Sequence, residues 1–232
     1  AEDGIRDYKV TGVQTCALPI YLIEPMGRQG ISDPFRLAYT NSAVTQLKSA
    51  FVSDRIIVKM NIMIVAGQLA DKNVLGLITS GLKDPNPAVR YWAARAASST
   101  ASKPSLARPD RIILMNSLVE QLVAEGGEQQ GGRVEGTQQV LKQILLALGE
   151  LNLPEANEEL LRGVNQRVTL HMRMPSLSVD PEHEALKRLF ARSVQARVAG
   201  GQKDVPDNLI RQMGTVAFRD MLIDRKSTRL NS

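Results

Sequence analysis

The sequence predicts an all-α protein made of stacked antiparallel helix pairs. From Ser42 onward, apolar residues recur every three or four positions, which is the spacing of one helix face. No stretch alternates apolar and polar residues with the period of two that a half-buried strand would show. Similar segments also recur along the chain, as in VKMNIMIVAGQL at 58–69 and VRYWAARAASST at 89–100, which start 31 residues apart. Helix pairs repeated at such an interval are typical of repeat proteins that stack their units.

The first two predicted helices lie on either side of Ser53. Val44, Leu47 and Phe51 define one face of the first helix. Ser53 is a candidate N-cap for the second, because a serine hydroxyl can accept a hydrogen bond from a free backbone N–H. The second helix is apolar almost all round, which favours a position between neighbouring helices.

Two further helices are predicted from their capping residues. Asp71 is a candidate N-cap for the third, whose apolar face is Val74, Leu75, Ile78 and Leu82. Asn86 followed by Pro87 opens the fourth, since asparagine caps well and proline suits a first helical turn. The residues of the fourth helix predicted to point inward are Val89, Trp92, Ala93, Ala96 and Ala97.

The second half of the chain is predicted to be helical on both sides of a glycine-rich segment, 126–136. The helix before it has Ile112, Met115, Val119 and Leu122 on one face. The segment lacks the Gly-x4-Gly-Lys-Ser/Thr pattern of a phosphate loop and no strand precedes it, so we predict a flexible connection. The helices predicted after it begin near Thr137, at a capped restart from Asn152, at Asp180 and at Asp204. Their apolar faces are Leu141, Ile144, Leu145 and Leu148 in the first, Leu160, Leu161, Val164 and Val168 in the second, Leu186, Leu189, Phe190, Val194 and Val198 in the third, and Leu209, Ile210, Met213, Val216, Ala217 and Met221 in the last.

One stretch, LGLITSGLKDPNPAVRYWAARAAS at 75–98, resembles the HEAT repeat, a family of α-solenoids. It has an apolar first helix, the turn Asp-Pro-Asn-Pro, and a second helix of small residues that opens with Val-Arg. The resemblance implies that Asp84 and Arg90 belong to a polar ladder between stacked repeats. The preceding unit departs from this pattern with Ser53 and Lys59. The resemblance covers 42–100, is weaker over 137–170, and implies a solenoid fold.

Both ends of the chain resemble translated sequencing adapter. The stretch VTGVQTCALPI at 10–20 can be encoded by the inner part of a common short-read adapter, Ala1–Asp7 by its outer part, and Asp224–Ser232 by its opposite strand. We therefore expect 1–20 and 224–232 to be non-native tails, and Cys16, the only cysteine, to have no chemical role. The predicted organisation is then helical repeats at 21–125, the linker at 126–136 and further repeats at 137–223, as a fragment of a longer protein.

No catalytic, cofactor or metal site is predicted. His171 and His183, the only histidines, are separated by 12 residues and show no spacing typical of metal ligands. No Gly-x-Ser-x-Gly motif is present. Leaving out the five basic and four acidic residues of the terminal segments changes the net charge only from +5 to +4, a balance that solvated helix faces explain.

These observations favour a non-catalytic scaffold or protein-interaction module. One alternative is an α-solenoid that binds nucleic-acid backbones through a candidate basic surface of Arg162, Arg167, Lys187, Arg188 and Arg192. A second is the helical appendage of a larger enzyme. We expect protein partners ahead of nucleic acid, no cofactor, no membrane span, and self-association through the cut ends of the repeat stack. The sequence does not determine the cellular compartment of the protein, and the cytoplasm is slightly favoured.

Overall fold

A computed structural model describes residues 22–25, 30–128, 134–173 and 214, with the backbone alone described at 126–128, 134–138 and 164–173. The regular elements in this part of the chain are all helical, which confirms the all-α prediction. Residues 22–25 are helical. From Asp33 onward the elements are α1 (Asp33–Ala50), α2 (Ile56–Leu69), a 3-10 helix (Lys72–Val74), α3 (Leu75–Leu82), α4 (Pro87–Ala101), α5 (Arg108–Glu128), α6 (Val134–Glu150) and α7 (Pro154–Arg173). The two terminal segments and the helices predicted from Asp180 and Asp204 lie outside the described residues, apart from Gly214, which is helical.

Helix α1 begins at Asp33, ahead of the start expected from the apolar pattern. Ser32 is its N-cap, with a hydroxyl that accepts a hydrogen bond from the Phe35 N–H at 3.4 Å, and a proline lies in its first turn. Both features favour a helix start. The first buried residue of α1 is Thr40, and the apolar side chains before it, Phe35 and Leu37, are exposed, so this early part of the helix contributes nothing to the core.

Ser53 does not cap α2, so that prediction was wrong. The N-cap position belongs to Arg55, which makes no side-chain capping bond. The Ser53 hydroxyl instead accepts a hydrogen bond from the Arg55 N–H at 3.2 Å and stabilises the turn before the helix. A serine that bonds two residues ahead forms a local turn, which competes with the capping geometry.

The predicted caps at Asp71 and Asn86 are confirmed. Asp71 Oδ1 accepts a hydrogen bond from the Asn73 N–H at 2.8 Å and caps the 3-10 helix that leads directly into α3. Asn86 Oδ1 accepts one from the Ala88 N–H at 2.9 Å, and Pro87 is the first residue of α4. These bonds satisfy donors that have no partner within the helix itself.

The predicted cap at Asn152 is wrong. Helix α7 begins at Pro154, and the Leu153 carbonyl oxygen accepts a hydrogen bond from the Asn157 N–H at 3.1 Å, so Leu153 occupies the N-cap position. Asn152 has a φ of 52°. Asparagine tolerates this left-handed conformation better than most residues, which suits it to the sharp turn after α6.

The buried face of α5 differs from the predicted stripe. Leu114 and Leu118 are completely buried and Leu122 is 8% exposed. Ile112, Met115 and Val119 pack against the core but are only partly buried. The most buried side chains of α5 are therefore leucines four residues apart. The predicted stripe lies along one edge of the wider apolar face of this helix.

Alternate helices pack against one another. The most extensive contacts join α4 to α6 and α2 to α4, and we call α2, α4 and α6 the even row. Helix α5 contacts both α3 and α7, and these three form the odd row. Successive helices also pack together, as α3 does with α4 and α5 with α6. Each helix of the even row thus packs against at least one helix of the odd row.

One continuous core runs through the described helices. Its buried side chains extend from Val44 in α1 to Leu161 in α7, on both sides of the predicted linker. Leu141, Ile144, Leu145 and Leu148 are completely buried, as their spacing predicts. Helix α5 ends at Glu128 and α6 begins at Val134. Both ends of the predicted linker, 126–136, are therefore helical.

Two glycines allow the helices to approach closely. A Cβ added at Gly67 in α2 would lie 3.0 Å from the Cα of Ala96 in α4. A Cβ added at Gly81 in α3 would lie 2.4 Å from the Met63 sulfur and 2.9 Å from the Ala93 Cβ. Small residues at these positions bring α2, α3 and α4 together at one point.

We predict that Gly81→Ala lowers the free energy of unfolding by about 1–3 kcal/mol, because the added methyl group overfills this contact. Gly76→Ala in the same helix is the matched control. A Cβ at Gly76 meets nothing within 4 Å, so alanine should stabilise the protein there by about 0.5–1 kcal/mol through its helix propensity. Urea unfolding of the full chain measures both changes. Equal stabilisation by the two variants would contradict this packing.

Candidate functional site

Three buried charges of the described chain and one partly exposed lysine form a series of contacts between helices. We call Lys59, Asp84, Arg90 and Glu125 the polar ladder. Asp84 lies in the turn between α3 and α4, with a side chain only 4% exposed. Its carboxylate accepts hydrogen bonds from Lys59 Nζ in α2 and from the Asn86 N–H, both at 2.8 Å. The aspartate therefore joins α2 to the start of α4.

Arg90, in the first turns of α4, makes the next contact of the ladder. Its guanidinium donates to Glu125 in α5, from Nε to Oε1 at 2.5 Å and from Nη2 to Oε2 at 3.3 Å. Nη1 donates to the backbone carbonyl oxygens of Asp84 at 3.1 Å and Pro85 at 2.9 Å. The Arg90 side chain thus connects the turn before α4 to helix α5.

Glu125 is completely buried, and its carboxylate is well supplied with donors. Besides Arg90, Gln121 Nε2 donates to Oε1 at 2.8 Å. A buried carboxylate without such partners would carry a large desolvation cost. The arrangement therefore depends on Arg90 and Glu125 being present together.

The resemblance to HEAT repeats drew attention to Asp84 and Arg90, and the structure places both in the interior. Arg90 contacts Asp84 through the backbone carbonyl oxygen, while the Asp84 carboxylate accepts from Lys59. Lys59 is one of the two residues by which the earlier unit departs from the repeat pattern, yet its ammonium group donates to Asp84 in the next turn. In both contacts a cation from one helix pair meets an acid of the following segment.

Sequence reasoning missed Glu125. A signal was present, because Leu118, Leu122 and Glu125 follow one another at helical spacing on the buried face of α5. A carboxylate on an apolar stripe predicts a buried cation as its partner. The sequence alone does not say which cation, since Arg90 is 35 residues away.

Arg111, also missed, binds the ends of two helices. Its guanidinium donates to the carbonyl oxygens of Ala101 at the end of α4, Lys103 and Leu106 in the following loop, and Leu151 just after α6, at 2.7–2.9 Å. Carbonyl groups at helix C-termini lack intrahelical donors and carry partial negative charge. A planar cation with five N–H groups can satisfy several of them at once.

An aromatic cluster lies on α4, facing away from the ladder. Tyr91 and Trp92 meet edge to face with ring centroids 5.5 Å apart, and the Arg95 guanidinium lies 5.0 Å from the Trp92 ring. Trp92 was predicted to point inward, but it is only partly buried, at the edge of the core. The alanines at 93, 94, 96 and 97 occupy the buried face instead, because only small side chains fit there.

The candidate basic surface is described at one side chain only. Arg162 donates to the carboxylate of Glu159 on the same helix. The side chain of Arg167 is not among those described, and Lys187, Arg188 and Arg192 lie outside the described residues. The basic surface therefore stays a prediction.

Among the described side chains, no three histidine, cysteine, aspartate or glutamate residues come together as metal ligands would. His171 lies in α7 with its backbone alone described, and His183 and Cys16 fall outside the described ranges. None of the described helices is both long enough and apolar enough to span a bilayer.

No protein-family model matches the chain, and comparisons with curated proteins and with solved structures also gave no match. A functional interpretation therefore depends on the contacts of the described residues themselves. Those contacts are the polar ladder, the Arg111 capping site and the aromatic cluster.

We predict that Arg90→Ala lowers the free energy of unfolding by about 3–5 kcal/mol, since it leaves Glu125 buried without its cation. Lys83→Ala is the matched control, because Lys83 pairs with Glu120 at the surface, where both side chains are more than half exposed. That change should stay within about 1 kcal/mol. Adding Glu125→Gln to Arg90→Ala should recover part of the loss, because the buried negative charge is then removed. Equal effects of the two single variants in denaturant unfolding would exclude the ladder as a stabilising element.

Arg111→Ala should lower the free energy of unfolding by about 2–3 kcal/mol, because four carbonyl groups lose a charged donor. Arg108→Ala provides the comparison, since Arg108 contacts Glu155 with a side chain that is 62% exposed, and its loss should cost less than about 1 kcal/mol. Arg111→Lys keeps the charge but not the fork of donors, so it should recover only part of the stability. Thermal unfolding followed by circular dichroism distinguishes these cases; full recovery by lysine would mean that charge alone matters.

Proposed function

We propose that the chain is a non-catalytic helical-repeat scaffold, HEAT-like over residues 42–100, that acts as a protein-interaction module. The observation that carries this proposal is the repeated link between a cation of one helix pair and an acid of the following segment. Lys59 contacts Asp84, and Arg90 then contacts Glu125. Two successive links of the same kind are the pattern that stacked units of similar sequence would produce.

The helix contacts support the same proposal. In a stack of helix pairs, each helix meets its partner and the equivalent helix of the next pair. Helix α4 contacts α3 as its partner and also α2 and α6, which have equivalent places in the neighbouring pairs. The close approaches at Gly67 and Gly81 help this stacking, because they bring three helices together without a gap.

The use of the buried charges favours a structural role over catalysis. A catalytic acid or base has to reach a substrate. In the described interior, the charged side chains of the ladder contact one another and backbone groups instead. Function then belongs to the outer faces of the rows, which stacking extends into a long surface suited to polypeptide segments.

Hydrogen exchange tests the stacked architecture. A stack held by contacts between neighbours opens from its ends, so amides of α4 should exchange more slowly than those of α1. Helix α4 has extensive contacts on both sides, whereas α1 packs mainly on α2 and the 3-10 helix. Mass-spectrometric exchange on the full chain measures both segments. Simultaneous exchange of all helices in one cooperative step would indicate a closed domain and contradict the proposal.

Selection from a random peptide display library tests the interaction role. The full chain, freed of nucleic acid by nuclease treatment, should enrich related peptides at physiological salt, while the thermally unfolded chain should not. If no peptide is enriched and an oligonucleotide binds with an affinity that falls steeply with salt, the chain is a nucleic-acid-binding repeat protein instead.

A further inference from the structure

The outer face of the even row combines apolar, aromatic and basic residues. We define the even-row face as Ile57 and Ile64 of α2, Tyr91, Trp92 and Arg95 of α4, and Lys142 of α6. Arg95 is exposed and the other five are partly exposed. These residues recur at helical spacing in two helices, seven apart in α2 and three or four apart in α4, so each of those two helices presents them as a stripe, while α6 adds Lys142 alone.

The packing of α4 explains why its stripe is only partly buried. Helices α2 and α6 lie against α4, and α3 packs where Gly81 meets Ala93. The side chains that face these neighbours, including Val89, Ala93 and Ala97, are completely buried. The stripe that contains Trp92 and Arg95 is on the remaining side, where Trp92 lies partly buried at the edge of the core and Arg95 is exposed.

The aromatic cluster on this face has the composition of an interaction hot spot. Tryptophan, tyrosine and arginine contribute most often to the binding energy of protein interfaces. Here they are already ordered, because Trp92 contacts both the Tyr91 ring and the Arg95 guanidinium. Ordered side chains lose less conformational entropy when a partner binds.

The charge that α2 and α4 bring to the even-row face is basic only. Neither of these two helices contains an aspartate or a glutamate. The other two basic residues of these helices, Lys59 and Arg90, have their charges paired in the polar ladder. Arg95 and Lys142 make no ion pair with any carboxylate of the described side chains, so within this part of the chain their charges are available to a partner.

We propose that the even-row face binds an acidic polypeptide segment that carries at least one large apolar side chain. This inference rests on the proposed interaction role and adds the surface and the class of partner. The apolar side chain packs against Trp92 and Ile64, and the carboxylates of the segment pair with Arg95 and Lys142. Complementary charge of this kind gives specificity as well as faster association.

The same observations disfavour a nucleic acid on this face. Binding a phosphate backbone takes a series of cations, whereas the described face offers two that are not already paired. The isoleucines of α2 would lie beside the phosphate groups, with which they can form neither hydrogen bonds nor ion pairs. A polypeptide uses apolar and charged residues together.

Trp92 is the only tryptophan in the chain, so its fluorescence reports directly on this face. The full chain is titrated with a short synthetic peptide of aspartate and glutamate around two leucines, with a matched peptide in which lysine replaces every acid, and with a single-stranded oligonucleotide. We expect a saturable change of Trp92 emission with the acidic peptide. Arg95→Glu should weaken its binding at least about tenfold, and Arg95→Ala should have a smaller effect.

Lys48→Glu is the control, because Lys48 is exposed on α1, outside this face, and undergoes the same charge reversal. The affinity of the Lys48→Glu variant for the acidic peptide should stay within about twofold of that of the unchanged protein. Equal binding of the lysine peptide, tighter binding of the oligonucleotide, or no change of Trp92 emission with the acidic peptide would overturn the inference. Basic or neutral peptides enriched by display would leave the scaffold role intact and reject only the acidic partner.

Discussion

The guanidinium of Arg90 can lie in the interior only where enough oxygen atoms point at it, and this constraint determines how three segments are arranged. The turn at Asp84 and Pro85 supplies two carbonyl oxygens, and Glu125 supplies a carboxylate. Each of these groups would itself be costly to bury alone. The turn, α4 and α5 therefore have to meet in one geometry, since sliding any of them leaves a charge or a carbonyl without its partner. Apolar packing by itself tolerates such shifts more easily.

Much of this fold could be predicted from local patterns, and what could not depends on contacts distant in sequence. Asp71 and Asn86 cap their helices as expected, because a cap needs only residues two or three positions away. The resemblance of 75–98 to a repeat pointed to Asp84 and Arg90 together, and the Arg90 guanidinium does donate to the Asp84 carbonyl oxygen. Glu125 could not be named as the partner of Arg90, nor Leu151 as that of Arg111, because each contact spans 35 or more residues. Trp92 was misplaced for a related reason: neighbouring helices approach too closely at Ala93 and Ala96 to leave room for a large ring.

Helix α4 separates its two kinds of cation by position around the helix axis. Arg90 turns toward α5 and is 5% exposed, whereas Arg95, five residues later, is on the exposed side. Five residues correspond to rather more than one helical turn, so the two side chains cannot share a face. One helix thus carries a cation that holds the interior together and another that faces outward.

The contacts of Arg111 imply an order of assembly during synthesis of the chain. The carbonyl groups of Ala101, Lys103 and Leu106 precede Arg111 by 5–10 residues, so they can bind the guanidinium as soon as α5 starts to form. The carbonyl of Leu151 is made 40 residues later. Local contacts form faster than distant ones because less chain entropy is lost in closing the loop. An ordered cationic site can therefore form before α6 packs against it, and the end of α6 then has a defined place to dock.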